Sequence, residues 1–202
     1  MQLIGMLDSP YVRRVAISMQ LLGLSYAHQS ISVFSTYDQF KRINPVVKAP
    51  TLVCDDGELL MDSTLIIDYL ETLAGQSLMP TRAAQRRHAL KLIGLALAAC
   101  EKTVQTVYER RMRPAEKQYE PWANRIHEQL IAALSALEGE VERHPLACES
   151  ASINQAGITT AAAWRFTQLM LPDAILAPAF PALAAHSARA EQLPAFIAAP
   201  PV

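Results

Sequence analysis

The spacing of apolar residues alternates between strand-like and helix-like in the first third of the chain and is helix-like throughout the rest. Leu3 to Leu7 is a short apolar run that reads as a strand, and Val12, Val15, Ala16, Met19 and Leu22 then recur at helical spacing. Arg13, Arg14 and Gln20 lie off that stripe, and Gly23 is placed to end the helix. Ser9-Pro10 supplies the hydroxyl and the fixed backbone angle that suit a helix cap and first turn. Tyr26 to Val33 carries a weaker strand signal, Tyr37 to Ile43 a short helical one, and Asn44-Pro45 a turn. Thr51 to Cys54 and Glu58 to Met61 flank Asp55-Asp56-Gly57, a hairpin signature, and Leu65, Ile66, Tyr69, Leu70 and Leu73 mark a helix ending near Gly75. The predicted order is β-α-β-α-β-β-α.

Beyond a linker through Ser77 and Pro80 the strand signal disappears. Ile93, Leu97, Cys100, Val104, Val107, Tyr108 and Arg111 fall on one face of a long helix that should stop before Pro114. Ile126, Leu130, Ala133, Leu134, Leu137 and Val141 repeat the spacing up to His144-Pro145. Ile158 to Met170 is apolar nearly all round, as a helix at the centre of a bundle must be, and a shorter helix follows over Phe180 to Glu191. The fold class is therefore α/β followed by all-α, with a mixed domain over 1–76 and a helical bundle over 84–202.

Composition narrows the partners. With 202 residues, 51% of them hydrophobic, and a formal charge of -1, the chain buries a sizeable core and exerts no general pull on nucleic acid or anionic lipid. Cys54, Cys100 and Cys148 are odd in number and widely spaced, which fits a reducing compartment, and cytoplasmic residence is expected. No segment reads as a secretory signal or a membrane span. His28, His88, His127, His144 and His186 are scattered without metal-ligand spacing, so no metal is expected. Cys54 sits at the end of an apolar strand and reads as a buried thiol, and no glycine-rich phosphate loop is present.

Two short stretches carry chemistry. In Val47-Lys48-Ala49-Pro50-Thr51-Leu52, a proline immediately before a strand suits a turn, with a cis peptide as one form, that leaves the backbone of Ala49 free to bind something else. Asp62-Ser63 opens the next helix and offers a carboxylate, a hydroxyl and free N–H groups in one place. Such a pocket holds an extended peptide by its backbone and grips a zwitterionic amino-acid end. Ser9 adds a hydroxyl at the positive end of the first helix, where it is suited to stabilising an anion.

These residues, together with Ser9-Pro10-Tyr11-Val12-Arg13 and the run Asp62-Ser63-Thr64-Leu65-Ile66-Ile67-Asp68-Tyr69-Leu70, resemble the cytosolic glutathione transferase family, in the bacterial form with serine at the active-site position. Phe180-Pro181-Ala182-Leu183 with His186, Arg189, Glu191 and Leu193-Pro194-Ala195-Phe196 looks like the family's ending. Asn154-Gln155-Ala156-Gly157 resembles its buried helix cap, with Gly157 where an acid is usual. The resemblance implies a thioredoxin-like, glutathione-binding domain over 1–76 and a helical domain contributing the second-substrate pocket.

It further implies glutathione as co-substrate. Ser9 would donate to the sulfur, with Tyr11 as the other candidate donor. The Ala49 backbone at Ala49-Pro50 would pair with the cysteinyl part, Asp62 and Ser63 would hold the γ-glutamyl end, and Lys48 would neutralise the glycyl carboxylate. Tyr11, Phe34, Tyr108, Arg111 and Trp164, with Arg113 beside them, are the candidates for the electrophile pocket. The implied protein is a cytoplasmic homodimeric detoxification enzyme acting on small apolar electrophiles. The same scaffold also serves as a non-catalytic glutathione-binding or protein-interaction module, or as a glutathione-dependent reductase or peroxidase. Serine, unlike cysteine, cannot form the mixed disulfide of thiol-disulfide exchange.

Overall fold

The structure, a computed structural model, describes residues 1–201 and forms two compact units. One comprises Met1–Leu78 and the segment from Gln192 onward, the other Met79–Glu191. The final segment thus belongs with the α/β unit, whereas the sequence pattern carries the helical region to the end of the chain. Arg13 is the reason. Its Nε donates to the Ala199 carbonyl at 2.8 Å, and its guanidinium lies 5.6 Å from the ring centroid of Phe196 in the terminal turn Pro194–Ile197.

In the first unit the elements run β1 (Gln2–Ile4), α1 (Pro10–Leu21), β2 (Ala27–Gln29), α2 (Tyr37–Ile43), β3 (Thr51–Val53), β4 (Leu59–Met61) and α3 (Ser63–Ala74). The sheet order is β2-β1-β3-β4, with β1 parallel to β2 and antiparallel to β3, and β3 antiparallel to β4. This is the thioredoxin-like arrangement. Ile4 lies opposite both Gln29 and Thr51, and Thr51 lies opposite Met61. That register brings the ends of β1, β2 and β4 and the start of β3 to one edge of the sheet, so the loops that follow or precede them are neighbours.

Side-chain alternation splits the core into two faces. Ile4 packs with Ile31 and Phe40 of the α2 side, with Val47 and Ala49 against them. Leu3 and Leu52, both fully buried, take the opposite face, where α1 and α3 pack together. Each such side chain contributes about 1.5–3 kcal/mol of burial. With the sheet, α3 and the terminal turn all around it, α1 has no polar face to spare. Arg13 and Arg14 are 1% and 2% exposed, which corrects their expected place off the buried stripe.

β1 ends at Ile4 rather than continuing to Leu7. Gly5 turns the chain with φ +133°, and a Cβ there would stand 2.6 Å from Val12 Cγ2 and 3.3 Å from Ala49 Cβ, so α1 and the Ala49 loop close over it only because it is glycine.

The second unit contains α4 (Ala83–Val107), α5 (Glu120–Arg143), α6 (Gln155–Met170) and α7 (Pro181–Ala190). The long helix expected through Arg111 changes character at Val107 and ends in a π-helical turn, Tyr108–Met112. That turn buries Glu109, whose carboxylate accepts from the Tyr119 N–H at 2.9 Å and pairs with Arg113 Nε at 3.2 Å. α6 is buried over most of its length, and Thr103 and Thr167 join α4 to it through hydroxyls 3.1 Å apart.

Asn154 caps α6, its Oδ1 accepting from Ala156 N at 2.9 Å and Gly157 N at 3.2 Å. The acid usual at position 157 would not fit without movement, since a Cβ on Gly157 would lie 3.0 Å from Ile153 Cγ1. Glu138 caps α7 from a distance, accepting from Ala182 N at 2.7 Å and Leu183 N at 2.8 Å. Among the described residues no helix is long and apolar enough to cross a membrane, and no cluster of three metal-ligating side chains forms.

Candidate active site

Ser9 is the N-cap of α1, with Pro10 in the first turn. Its Oγ accepts from the Val12 N–H at 3.5 Å, a long bond that leaves the hydroxyl weakly committed to capping, while its carbonyl accepts from Arg13 N at 2.9 Å. The positive end of a fully formed helix therefore faces the same space as a half-buried hydroxyl. Beside it, burial pushes the Asp8 carboxyl above the usual carboxylate range, against the backbone N–H bonds at Ser9 and Asp8 that favour its charged form.

The Ala49-Pro50 peptide is cis. Among the described residues no backbone hydrogen bond engages Ala49. The loop is pinned from both sides: Asn44 Nδ2 donates to Thr51 Oγ1 at 2.8 Å, and Thr51 Oγ1 donates in turn to the Lys48 carbonyl at 2.7 Å. Both polar side chains are buried, so the network is rigid as well as satisfied. The Lys48 side chain points into solvent. Val47, just before it, holds φ +53°, a left-handed backbone that a β-branched residue rarely adopts.

Asp62 also has a left-handed φ, +73°, and it closes β4 into α3. The strain, of order 1–3 kcal/mol for a non-glycine residue, is offset by its own carboxylate, whose Oδ1 accepts from Thr64 N at 2.9 Å. Ser63 is 2% exposed. From the middle of α1, Arg14 Nη1 donates to Ser63 Oγ at 3.1 Å and to Thr64 Oγ1 at 3.2 Å.

The sheet register therefore gathers Ser9, Lys48, Ala49, Pro50, Asp62 and Ser63 at one edge of the first unit. Tyr11 is half-buried on α1, and Phe34, 49% exposed, lies in the loop after β2 at the same edge. The remaining pocket candidates belong to the second unit. Tyr108 is in the π-helical turn, where partial burial pushes its hydroxyl pKa up, and exposed Arg111 reaches Met170 Sδ at 4.0 Å. Trp164 is a core side chain, 4% exposed, with its ring 5.7 Å from that of Phe180. Burial pushes the Cys54 thiol up, as suits a core sulfur.

Sequence reasoning missed Arg14, Asn44 and Thr51. Periodicity places a charged residue outside the apolar stripe but does not say whether that side of the helix meets water. The available signal was the scarcity of other polar residues along α1.

Fold and site together define a thioredoxin-like domain carrying an appended helical unit. Residues 3–78 match the family model of the glutathione S-transferase N-terminal domain. Over 140 residues, 69% of each chain, the protein is 28% identical to the GST-like protein YibF of Escherichia coli strain K12. It is 28% identical over 136 residues to maleylacetoacetate isomerase of Pseudomonas aeruginosa, covering 63% of this chain and 64% of that one. A glutathione transferase family member from Pseudomonas fluorescens Pf-5, solved with S-(propanoic acid)-glutathione bound, superposes with a TM-score of 0.81 at 29% identity, each chain covered in full. The chain is thus similar to members of the glutathione transferase family, through its N-terminal domain over residues 3–78 and through its fold over the whole length.

Proposed function

We propose that the first unit binds glutathione and that the protein is a transferase activating its thiol for attack on a small apolar electrophile. The observation that carries this reading is the convergence of Ser9, Ala49-Pro50 and Asp62-Ser63 at one edge of the sheet. The unengaged Ala49 backbone suits the cysteinyl amide of a tripeptide. Asp62 and Ser63 suit the ammonium and carboxylate of a γ-glutamyl group, and Lys48 the glycyl carboxylate.

The free thiol has a pKa of about 8.5, so only a few per cent is thiolate at neutral pH. A hydroxyl donor and a helix N-terminus beside the sulfur lower that value. The thiol proton passes to water, the sulfur forms a C–S bond, and the leaving group departs with its bonding pair. Holding the two reactants together supplies the rest of the acceleration.

A cytoplasmic homodimer is the assembly this reading carries. The dimer is supported by Leu65, Tyr69 and Leu73, which form an exposed apolar stripe along one side of α3.

Likeness to maleylacetoacetate isomerase favours a second reading of the same site. On that reading the thiolate would add reversibly to the substrate and leave again after isomerisation, so that glutathione is returned unchanged.

Calorimetric titration with glutathione and turnover of an aryl halide by the purified protein test the proposal. Binding with stoichiometric consumption of the thiol supports the transferase; catalysis of cis–trans conversion without consumption supports the isomerase. Absence of binding at millimolar glutathione sinks both and leaves a protein-interaction module.

A further inference from the structure

We propose that Arg14 is a positioning residue for the γ-glutamyl carboxylate, a role that rests on the glutathione-binding reading above. A guanidinium donates and never accepts, so Ser63 Oγ, 3.1 Å from Arg14 Nη1, and Thr64 Oγ1, 3.2 Å from it, both receive a hydrogen bond from Arg14. A serine hydroxyl has one proton. With one lone pair taken by Arg14, that proton is directed away from α1 toward whatever acceptor sits at the mouth of α3. Polarisation by the cation makes it a stronger donor.

The acceptor this arrangement selects is an anion. Arg14 places a guanidinium directly behind Ser63, and the α3 N-terminus adds its own partial charge. Arg14 is 2% exposed, so the guanidinium is poorly screened by water. The arginine is also fixed in place. It lies mid-helix in α1, and its carbonyl accepts from Ser18 Oγ at 2.7 Å, so the guanidinium links α1, which carries Ser9, to α3, which carries Ser63. One element thus sets the spacing between the sulfur end and the γ-glutamyl end of the site. Asp62 stands next to Ser63 with its carboxylate at the same helix mouth, which gives the site a cationic half and an anionic half, the pattern of a zwitterion.

The test compares glutathione with γ-aminobutyryl-cysteinyl-glycine, which lacks only the α-carboxylate of the γ-glutamyl group, by calorimetry and steady-state kinetics, with thermal melts as the folding control. Wild type should prefer glutathione by at least tenfold. In Arg14→Met that preference should collapse through loss of glutathione affinity, with binding of the analogue little changed. Equal weakening of both ligands, or a preference that survives, overturns the proposal. If Arg14→Met does not fold, Arg14→Lys carries the test in a double-mutant cycle with Ser63→Ala: non-additive losses support the coupling and additive losses overturn it. A wild type that binds the two peptides equally overturns the γ-glutamyl site itself, whereas a wild-type preference retained in Arg14→Met overturns only the role of Arg14.

Discussion

Asn44 donates from its side-chain amide to the hydroxyl of Thr51 at 2.8 Å, so the turn after α2 holds the start of β3 and, through Thr51, the Lys48 carbonyl of the loop before it. The same Asn44 accepts from Val46 N at 3.0 Å. One buried residue thereby fixes both ends of the segment that presents Ala49.

Asn44→Ala should therefore cost more than an ordinary surface change. It strips a donor from a fully buried hydroxyl and an acceptor from a backbone N–H, a loss of about 1–3 kcal/mol. Urea unfolding of the variant should show a lower midpoint with an unchanged slope, and glutathione affinity should fall with it as the loop loosens. A variant as stable as wild type would show that water replaces the amide without penalty.

His186 gives the fold a pH dependence of definite sign. Its Nε2 lies 2.9 Å from the Gly157 carbonyl, which only accepts, so the neutral ring carries its proton on Nε2. Burial, partly opposed by that bond, pushes its pKa below the ordinary histidine value, with Arg189 adding to the depression. The unfolded chain takes up a proton that the folded chain does not. Stability from this residue is thus present above about pH 6.5 and drains away as pH falls toward the folded value, by at most about 1.4 kcal/mol per pH unit. His186→Gln should be less stable at neutral pH, and its deficit relative to wild type should shrink between roughly pH 7 and 5. A deficit that stays constant or grows on acidification would mean the folded ring is protonated.

Much of this was legible in the chain, and the failures have a common cause. Periodicity found α2, α5 and α6, because each has an apolar face matched to its depth of burial. The Asn154 cap was also readable, since side-chain capping is local chemistry. The orientation of Arg13 and Arg14 was not readable, because it depends on α3 and the terminal turn Pro194–Ile197 closing over α1. The end of β1 depends on Gly5 meeting Val12 and Ala49, a contact across 44 residues of sequence in the latter case. At the proposed site, Ser9, Ala49-Pro50 and Asp62-Ser63 each stand out singly in the sequence as candidates. Their adjacency follows from strand register, which no single stretch encodes.

Asp62 and Ser63 make separable contributions. Asp62→Asn keeps an acceptor for Thr64 N and a side chain that tolerates the left-handed backbone, so the melting temperature should move little. It removes the charge proposed to hold the ammonium group, and glutathione affinity should drop about tenfold to a hundredfold. Ser63→Ala should weaken binding by a similar factor while also leaving Arg14 without one of its acceptors. Calorimetry with melts as a control reads both. Variants that bind as tightly as wild type would place the γ-glutamyl end elsewhere.

Ser9 separates activation from binding. Because its capping bond to Val12 N is long, at 3.5 Å, Ser9→Ala should cost less than about 1 kcal/mol of stability. Its proposed bond to sulfur is strongest to the developed thiolate, so kcat should fall by roughly tenfold to a hundredfold while glutathione affinity changes little. Following the ultraviolet absorbance of the bound thiolate against pH gives a direct reading: its pKa should lie below that of free glutathione in wild type and rise in the variant. Ser9→Cys should instead introduce glutathione-dependent disulfide exchange, since a thiol at a helix N-terminus has a depressed pKa and forms the mixed disulfide that serine cannot. An unchanged thiolate pKa in Ser9→Ala would pass the donor role to Tyr11 or to the backbone of α1, and a Ser9→Cys variant without exchange activity would show that the side chain does not face the sulfur.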